Sequence, residues 1–195
     1  MSRYRRSLAE GGTYFFTVNL ADRTSRLLVE DIDRLRHGFD LARTHYPFHM
    51  MAYCILPEHL HAIWRLPEGD ADFGLRWGVI KRAFSRGVAP GHRSASKIAK
   101  REKGVWQRRF WEHQIRDDLD LQRHVDYIHF NPVKHGWVRR VVDWPHSSFH
   151  EYVKRGMLHK DWAGSEDVSN EGDFGERSFA RGHAQRAHPT KDVIG

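Results

Sequence analysis

The 195-residue chain carries 32 Lys and Arg against 25 Asp and Glu, a formal charge of +7. Its 39% apolar content, with Trp 7 and Phe 11, suffices for one sizeable core, and the length fits one domain with or without a tail. The basic excess favours a polyanionic partner, nucleic acid before an anionic membrane surface, since no apolar run is long enough to span a bilayer. The opening "MSRYRRSLAEGG" lacks the apolar core of a secretory signal, so a reducing cytoplasm is the expected compartment. The single cysteine, Cys54, excludes an internal disulfide and a thiolate zinc cluster.

In chain order, "GGTYFFTVNL" is aromatic and β-branched after a Gly pair, which predicts a first strand over residues 13–20. Leu28, Ile32, Leu35, Phe39 and Ala42 then recur at helical spacing, with Pro47 beyond the end. "FHMMAYCIL" and "HLHAIWRL" read as two strands joined through the tight "PEH" connection. Phe73, Trp77, Ile80 and Phe84 mark a second helix whose basic residues, Arg76, Lys81, Arg82 and Arg86, are expected on or near its exposed side. "APGHRSASKIAKREKG" is small, polar and basic and reads as a mobile loop, followed by a short strand within "VWQRRFWEHQIRD". A third helix spans "LDLQRHVDYIHFNPVKHGWV", capped by Asp117 or Asp118 and closing near Pro132 and Gly136. The order βαββαβ predicts an α+β, ferredoxin-like or RRM-like antiparallel sheet with helices packed on one face. The domain is expected over residues 1–162, and residues 163–195, poor in apolar groups, form a tail expected to be disordered.

Two features carry chemistry. His59 and His61 lie two apart on a strand, so they project from one face. Such a pair suits either a solvated surface or a metal site, since imidazole is the commonest metal ligand. On the third helix His124, Tyr127 and Asn131 share a face, with Val125, Ile128 and Val133 toward the packing side. Tyr127 reads either as a core tyrosine or as a nucleophile, and Asn131 either as a helix cap or as an oxygen ligand. "HSS" at 146–148 is one half of a two-histidine phosphoesterase pattern, but "HLH" is not its partner.

"LPEHLHAIW", "WQRRFWEH" and "DYIHFNPVKHGWV" resemble the signature blocks of the REP-associated tyrosine transposases, relatives of the single-tyrosine IS200/IS605 transposases within the HUH endonuclease superfamily. The likeness runs in the right order over roughly residues 3–164. It implies that His59 and His61, with Leu60 between, are the H-u-H metal ligands, that Asn131 is the third ligand, and that Tyr127 is the nucleophile; His124, on the same helix face, is the runner-up third ligand. It further implies a Mg²⁺ or Mn²⁺ cofactor and cleavage of single-stranded DNA beside short hairpins of repetitive extragenic palindromes, leaving a 5′-phosphotyrosyl intermediate. A monomer is expected, with a dimer sharing sites as the alternative, in the bacterial cytoplasm and on the nucleoid. A DNA-binding protein that kept the fold and lost the chemistry is the competing expectation. Contacts to DNA are expected from Arg3, Tyr4, Arg5 and Arg6 at the N-terminus, which would read flanking bases. Lys81, Arg82, Arg86, Arg108 and Arg109 are expected to grip the hairpin through its phosphates.

Overall fold

The computed structural model describes residues 9–164. Arg3, Tyr4, Arg5 and Arg6, and nearly all of the expected tail, lie outside the described residues. Strands β1 (Thr13–Asn19), β2 (His49–Ile55), β3 (His59–Arg65) and β4 (Trp111–Gln114) form one sheet in the order β2-β3-β1-β4. Every neighbouring pair is antiparallel. Two helical segments, α1 (Leu27–Glu30) and α2 (Ile32–His45), link β1 to β2, and α3 (Phe73–Ser85) lies between β3 and β4. The sheet is the ferredoxin-like one expected from the element order.

Helices cover both faces rather than one. Phe16, Val18, Leu60, Ala62 and Trp64 point to one side, where α2 and α3 bury them. Phe15, Cys54 and Ile63 point to the other, under α5 (Asp118–Lys134). The reason lies in the two central strands: six of the seven positions of β1 and of β3 are buried, so neither strand has a polar face to leave in water. The α2–α3 side is built from aromatic rings, with Trp64 stacked on Trp77 at 4.3 Å and Phe48 against Trp64 at 4.2 Å. Gly38 lets the two helices approach there, because a Cβ at that position would stand 3.1 Å from the Ile80 carbonyl oxygen.

Local chemistry explains the element ends. The expected first helix breaks at Asp31 into α1 and α2. Asp72 caps α3, its carboxylate accepting from Leu75 N–H at 2.8 Å. Arg76 is not exposed as expected: it is 1% accessible. It donates to both Asp70 carboxylate oxygens at 3.0 and 2.6 Å and to the carbonyls of Tyr46, Pro47 and Asp72. Its guanidinium ties α3 to the end of α2, with every donor group occupied by a structural partner. The stretch read as a mobile loop carries a short helix, α4 (Ala95–Ala99), with Ser94 accepting from Lys97 N–H. Lys103 then closes α3, donating to the carbonyls of Ser85, Arg86 and Val88 at 2.8, 2.9 and 3.0 Å.

Asp117 caps α5 through the N–H of Asp120 at 2.8 Å. The helix runs through Pro132 to Lys134, and Gly136, at φ +72°, turns the chain away. The remaining chain, a 3₁₀ turn at Val141–Asp143 and α6 (Phe149–Lys154), folds back along β2. Trp144 Nε1 donates to Ile55 O at 3.0 Å, and Ser148 Oγ accepts from Tyr53 N at 2.9 Å. The "HSS" stretch thus covers a sheet edge, which leaves its serines structural work.

Candidate active site

β3 is internal in the sheet, and its period of two turns His59, His61 and Ile63 toward α5. Both histidines are wholly buried, with ring centroids 4.9 Å apart. Each is held at Nδ1. Thr17, directly opposite His61 in the β1–β3 register, places Oγ1 2.9 Å from its Nδ1. Glu58, in the hairpin turn, places Oε1 2.8 Å from His59 Nδ1. Burial opposes the charge on Glu58, but the hydrogen bond and charge of His59, helped by Arg23, outweigh it and hold the carboxyl below its ordinary range.

Tyr127 comes from α5, and its ring packs edge-on against His61 at 5.2 Å and against Phe15 at 6.1 Å. The ring is buried, 2% accessible. Lys134 Nζ lies 4.6 Å over the same ring and donates to Tyr127 Oη at 3.3 Å. Asn131, one turn beyond Tyr127 on that face, is fully buried. His135, the C-cap of α5, brings its ring within 5.1 Å of His59.

His124 does not join this group. Its Nδ1 donates to the Asp120 carbonyl at 2.7 Å and its ring stacks on His113 at 4.7 Å. Phe15 stands between it and the pair, 4.8 Å from His124 and 5.5 Å from His61. Burial lowers the pKa of His124, which favours the neutral ring. His113, Asp120 and His124 form a second cluster whose ligand atoms lie within 4.8 Å of one another and could hold a metal ion. Asp120 already accepts from His113 Nε2 at 2.9 Å and from Arg116 Nε at 3.0 Å. Burial works against its charge, but those donors prevail and hold it well below the usual carboxylate range.

Lys81, Arg82, Arg86 and Arg108 come together, with Arg101 and Lys103, around a cavity of about 600 Å³ between the end of α3 and the chain after α4. Arg109 is exposed nearby and does not line it. Lys81 Nζ stands over the rings of Trp106 and Phe110 at 5.6 and 5.3 Å, and Arg108 pairs with Glu102 at 2.9 Å. Trp106 and Phe110 belong to the aromatic side of the sheet, so this cavity and Tyr127 lie on opposite faces. No helix among the described residues is long and apolar enough to cross a membrane.

Glu58 was open to sequence reasoning as the neighbour of His59, and Lys134 as the residue two turns after Tyr127. Thr17 was not, because only the strand register sets it opposite His61.

An internal strand bearing two histidines lies under a helix bearing one tyrosine, the arrangement expected from the sequence. No family model matches the chain. A REP-associated tyrosine transposase of Escherichia coli K12 is 49% identical over 164 residues, 84% of this chain and 92% of that one. A Haemophilus influenzae relative, provisionally given the same name, is 47% identical over 176 residues, 89% of this chain and all of that one. A solved structure of a REP-associated tyrosine transposase bound to a REP hairpin superposes with a TM-score of 0.80 at 47% identity, covering 92% of this chain and 100% of the other. The chain belongs to the family of REP-associated tyrosine transposases.

Proposed function

We propose that this protein binds hairpins of REP-type DNA and cuts and rejoins single strands beside them through a covalent bond to Tyr127. The observation that carries this reading is the packing of Tyr127 against His61, itself beside His59, with all three side chains buried. A core tyrosine would be equally stable against leucine. Two wholly buried histidines beside it cost desolvation that packing alone does not require.

The donor set fits a divalent cation, Mg²⁺ or Mn²⁺, held by His59, His61 and Asn131. Glu58 and Thr17 hold the Nδ1 atoms as outer partners of metal-binding histidines do, so each ring would ligate through Nε2. Asn131 offers an amide oxygen one turn from the tyrosine. A bound cation offsets negative charge on the phosphate under attack. The His113–Asp120–His124 cluster is the less suitable seat, since Arg116 already supplies the cation at Asp120.

Tyr127 Oη attacks phosphorus, and the bond to the 3′ oxygen breaks, leaving a free 3′ hydroxyl and a 5′ phosphate on the tyrosine. The phosphotyrosyl link keeps the bond energy for rejoining. The basic cavity suits phosphates of the hairpin stem. DNA engaging both it and Tyr127 has to pass an edge of the sheet, and the short β4, on the side of the cavity, is the edge we assign to it. Arg5 and Arg6 would then read the bases flanking the hairpin. Residues 1–162 are the unit proposed to carry all of this.

The test is a denaturing gel with end-labelled single strands containing a REP-type hairpin, with and without Mn²⁺. A label downstream of the cut should migrate with the protein, and a 5′ label should run as a short free strand. Tyr127→Phe should keep hairpin affinity while losing the adduct and the cut by 10³-fold or more, roughly the loss of a covalent nucleophile. Undiminished cutting by that variant would overturn the mechanism. Hairpin binding by the parent protein without any cut would favour the binding-only alternative.

A further inference from the structure

A lysine in the last turn of a helix ordinarily turns to water or to the terminal carbonyls. Lys134 folds its ammonium back instead: Nζ lies 4.6 Å over the Tyr127 ring and donates to Oη at 3.3 Å. Seven residues are two helical turns, so the two side chains share a face, and the helix stops at Gly136 just beyond. The lysine is exposed while the tyrosine ring is buried. The ammonium therefore stands at the solvent side of the one atom that would react.

We propose that Lys134 is a catalytic residue of the cutting reaction, its ammonium stabilising the charge on Tyr127 Oη as attack begins and the phosphotyrosyl link afterwards. This rests on the reading of Tyr127 as nucleophile. In the step, the phenol first gives its proton to solvent, and Oη then forms the bond to phosphorus. The phosphorus–3′ oxygen bond breaks with its electron pair on the 3′ oxygen, which takes a proton from water. Lys134 takes no part in these proton transfers. A phenol ordinarily ionises near pH 10, so a fixed cation in contact with it has charge to offset. The other titratable groups of this neighbourhood are His61 and His59 on β3, Glu58 in the turn and His135 at the end of α5.

The test is single-turnover cutting by the full chain, with hairpin affinity measured on the same proteins. Lys134→Met should cut roughly tenfold more slowly, about the effect of one unit charge near a solvent-exposed group. Lys134→Arg should restore most of the rate, Lys134→Gln none of it, and hairpin affinity should be unchanged in all three. A Lys134→Met rate like the parent's, or a Lys134→Arg rate as slow as that of Lys134→Gln, overturns the role of Lys134. Loss of the adduct reading in the parent protein, with Tyr127→Phe cutting normally, overturns the nucleophile itself and takes this proposal with it.

Discussion

The two faces of the sheet are built from opposite materials. Toward α2 and α3 the strands present Tyr14, Phe16, Leu60, Ala62 and Trp64, closed by Trp77, Phe73 and Phe84. Toward α5 the same strands present Thr17, His59 and His61, closed by Tyr127 and Asn131. Because side chains alternate along a strand, one backbone serves both faces, and the rigidity earned on the aromatic side fixes the geometry on the polar side. Burying these polar side chains costs stability. The aromatic face supplies the surplus that lets the other face be specialised.

That division is broken most directly by Trp64→Ala, which should cost about 3–5 kcal/mol, the usual range for truncating a buried aromatic side chain. Trp64 stacks on Trp77 and touches Phe16, Phe39 and Phe48. A urea titration at constant slope measures the loss. A cost below 1 kcal/mol would place the stability of the fold elsewhere.

Acid tests the second layer of the polar face. His129, on α5, is buried with Nε2 2.9 Å from Ser148 Oγ, and burial pulls its pKa down to about 3. A histidine depressed in the folded state is protonated earlier in the unfolded chain. Its contribution is therefore complete above about pH 6.5 and declines as pH falls from there toward 3, by at most about 1.4 kcal/mol per pH unit. His124 and His146, also lowered chiefly by burial, act in the same direction. His129→Gln should flatten the pH dependence of the urea midpoint between pH 6 and 4. An unchanged slope would mean that His129 is not held neutral.

His61→Ala and His59→Ala should be milder for the fold, about 1 kcal/mol, the scale of one hydrogen bond lost to Thr17 or Glu58. Both should abolish cutting and weaken Mn²⁺ binding in calorimetric titration. His113→Ala should leave Mn²⁺ affinity as it was. The reverse pattern would move the ion to the His113–Asp120–His124 cluster. Asn131→Ala should fall between, because water replaces a neutral amide oxygen more easily than an imidazole.

Much of this contrast was legible in the sequence. The strand period set His59 and His61 on one face, helical spacing set Tyr127 and Asn131 on another, and all four sheet strands and the three long helices were expected from apolar pattern and turn residues. Less visible was anything fixed by partners distant in the chain. His124 has the right spacing from Tyr127, but His113 and Asp120 claim it. Arg76 resembles its basic neighbours in composition, yet the Asp70 carboxylate and three carbonyls bury it. The second covered face of the sheet was missed because the βαββαβ order accounts for α2 and α3 alone. Strands buried on both sides were the available sign of a further layer.

The smallest effect on stability should come from the basic cavity, and there the contrast is with function alone. Arg82 and Arg86 are exposed at the end of α3, so replacing either with Gln should change stability by no more than about 0.5 kcal/mol. If they hold phosphates of the hairpin, each substitution removes one released counterion, and the slope of log affinity against log salt should shrink by about 0.7–0.9 per residue. That change should be equal for REP-type and scrambled hairpins, because phosphate contacts position the DNA and carry no sequence. Lys103→Met should behave differently: its ammonium closes α3 through three carbonyls, so stability should fall first and binding follow. Filter binding at several salt concentrations, with urea titrations of the same proteins, separates the two behaviours. A salt slope unchanged in Arg82→Gln and Arg86→Gln would take the hairpin away from this cavity.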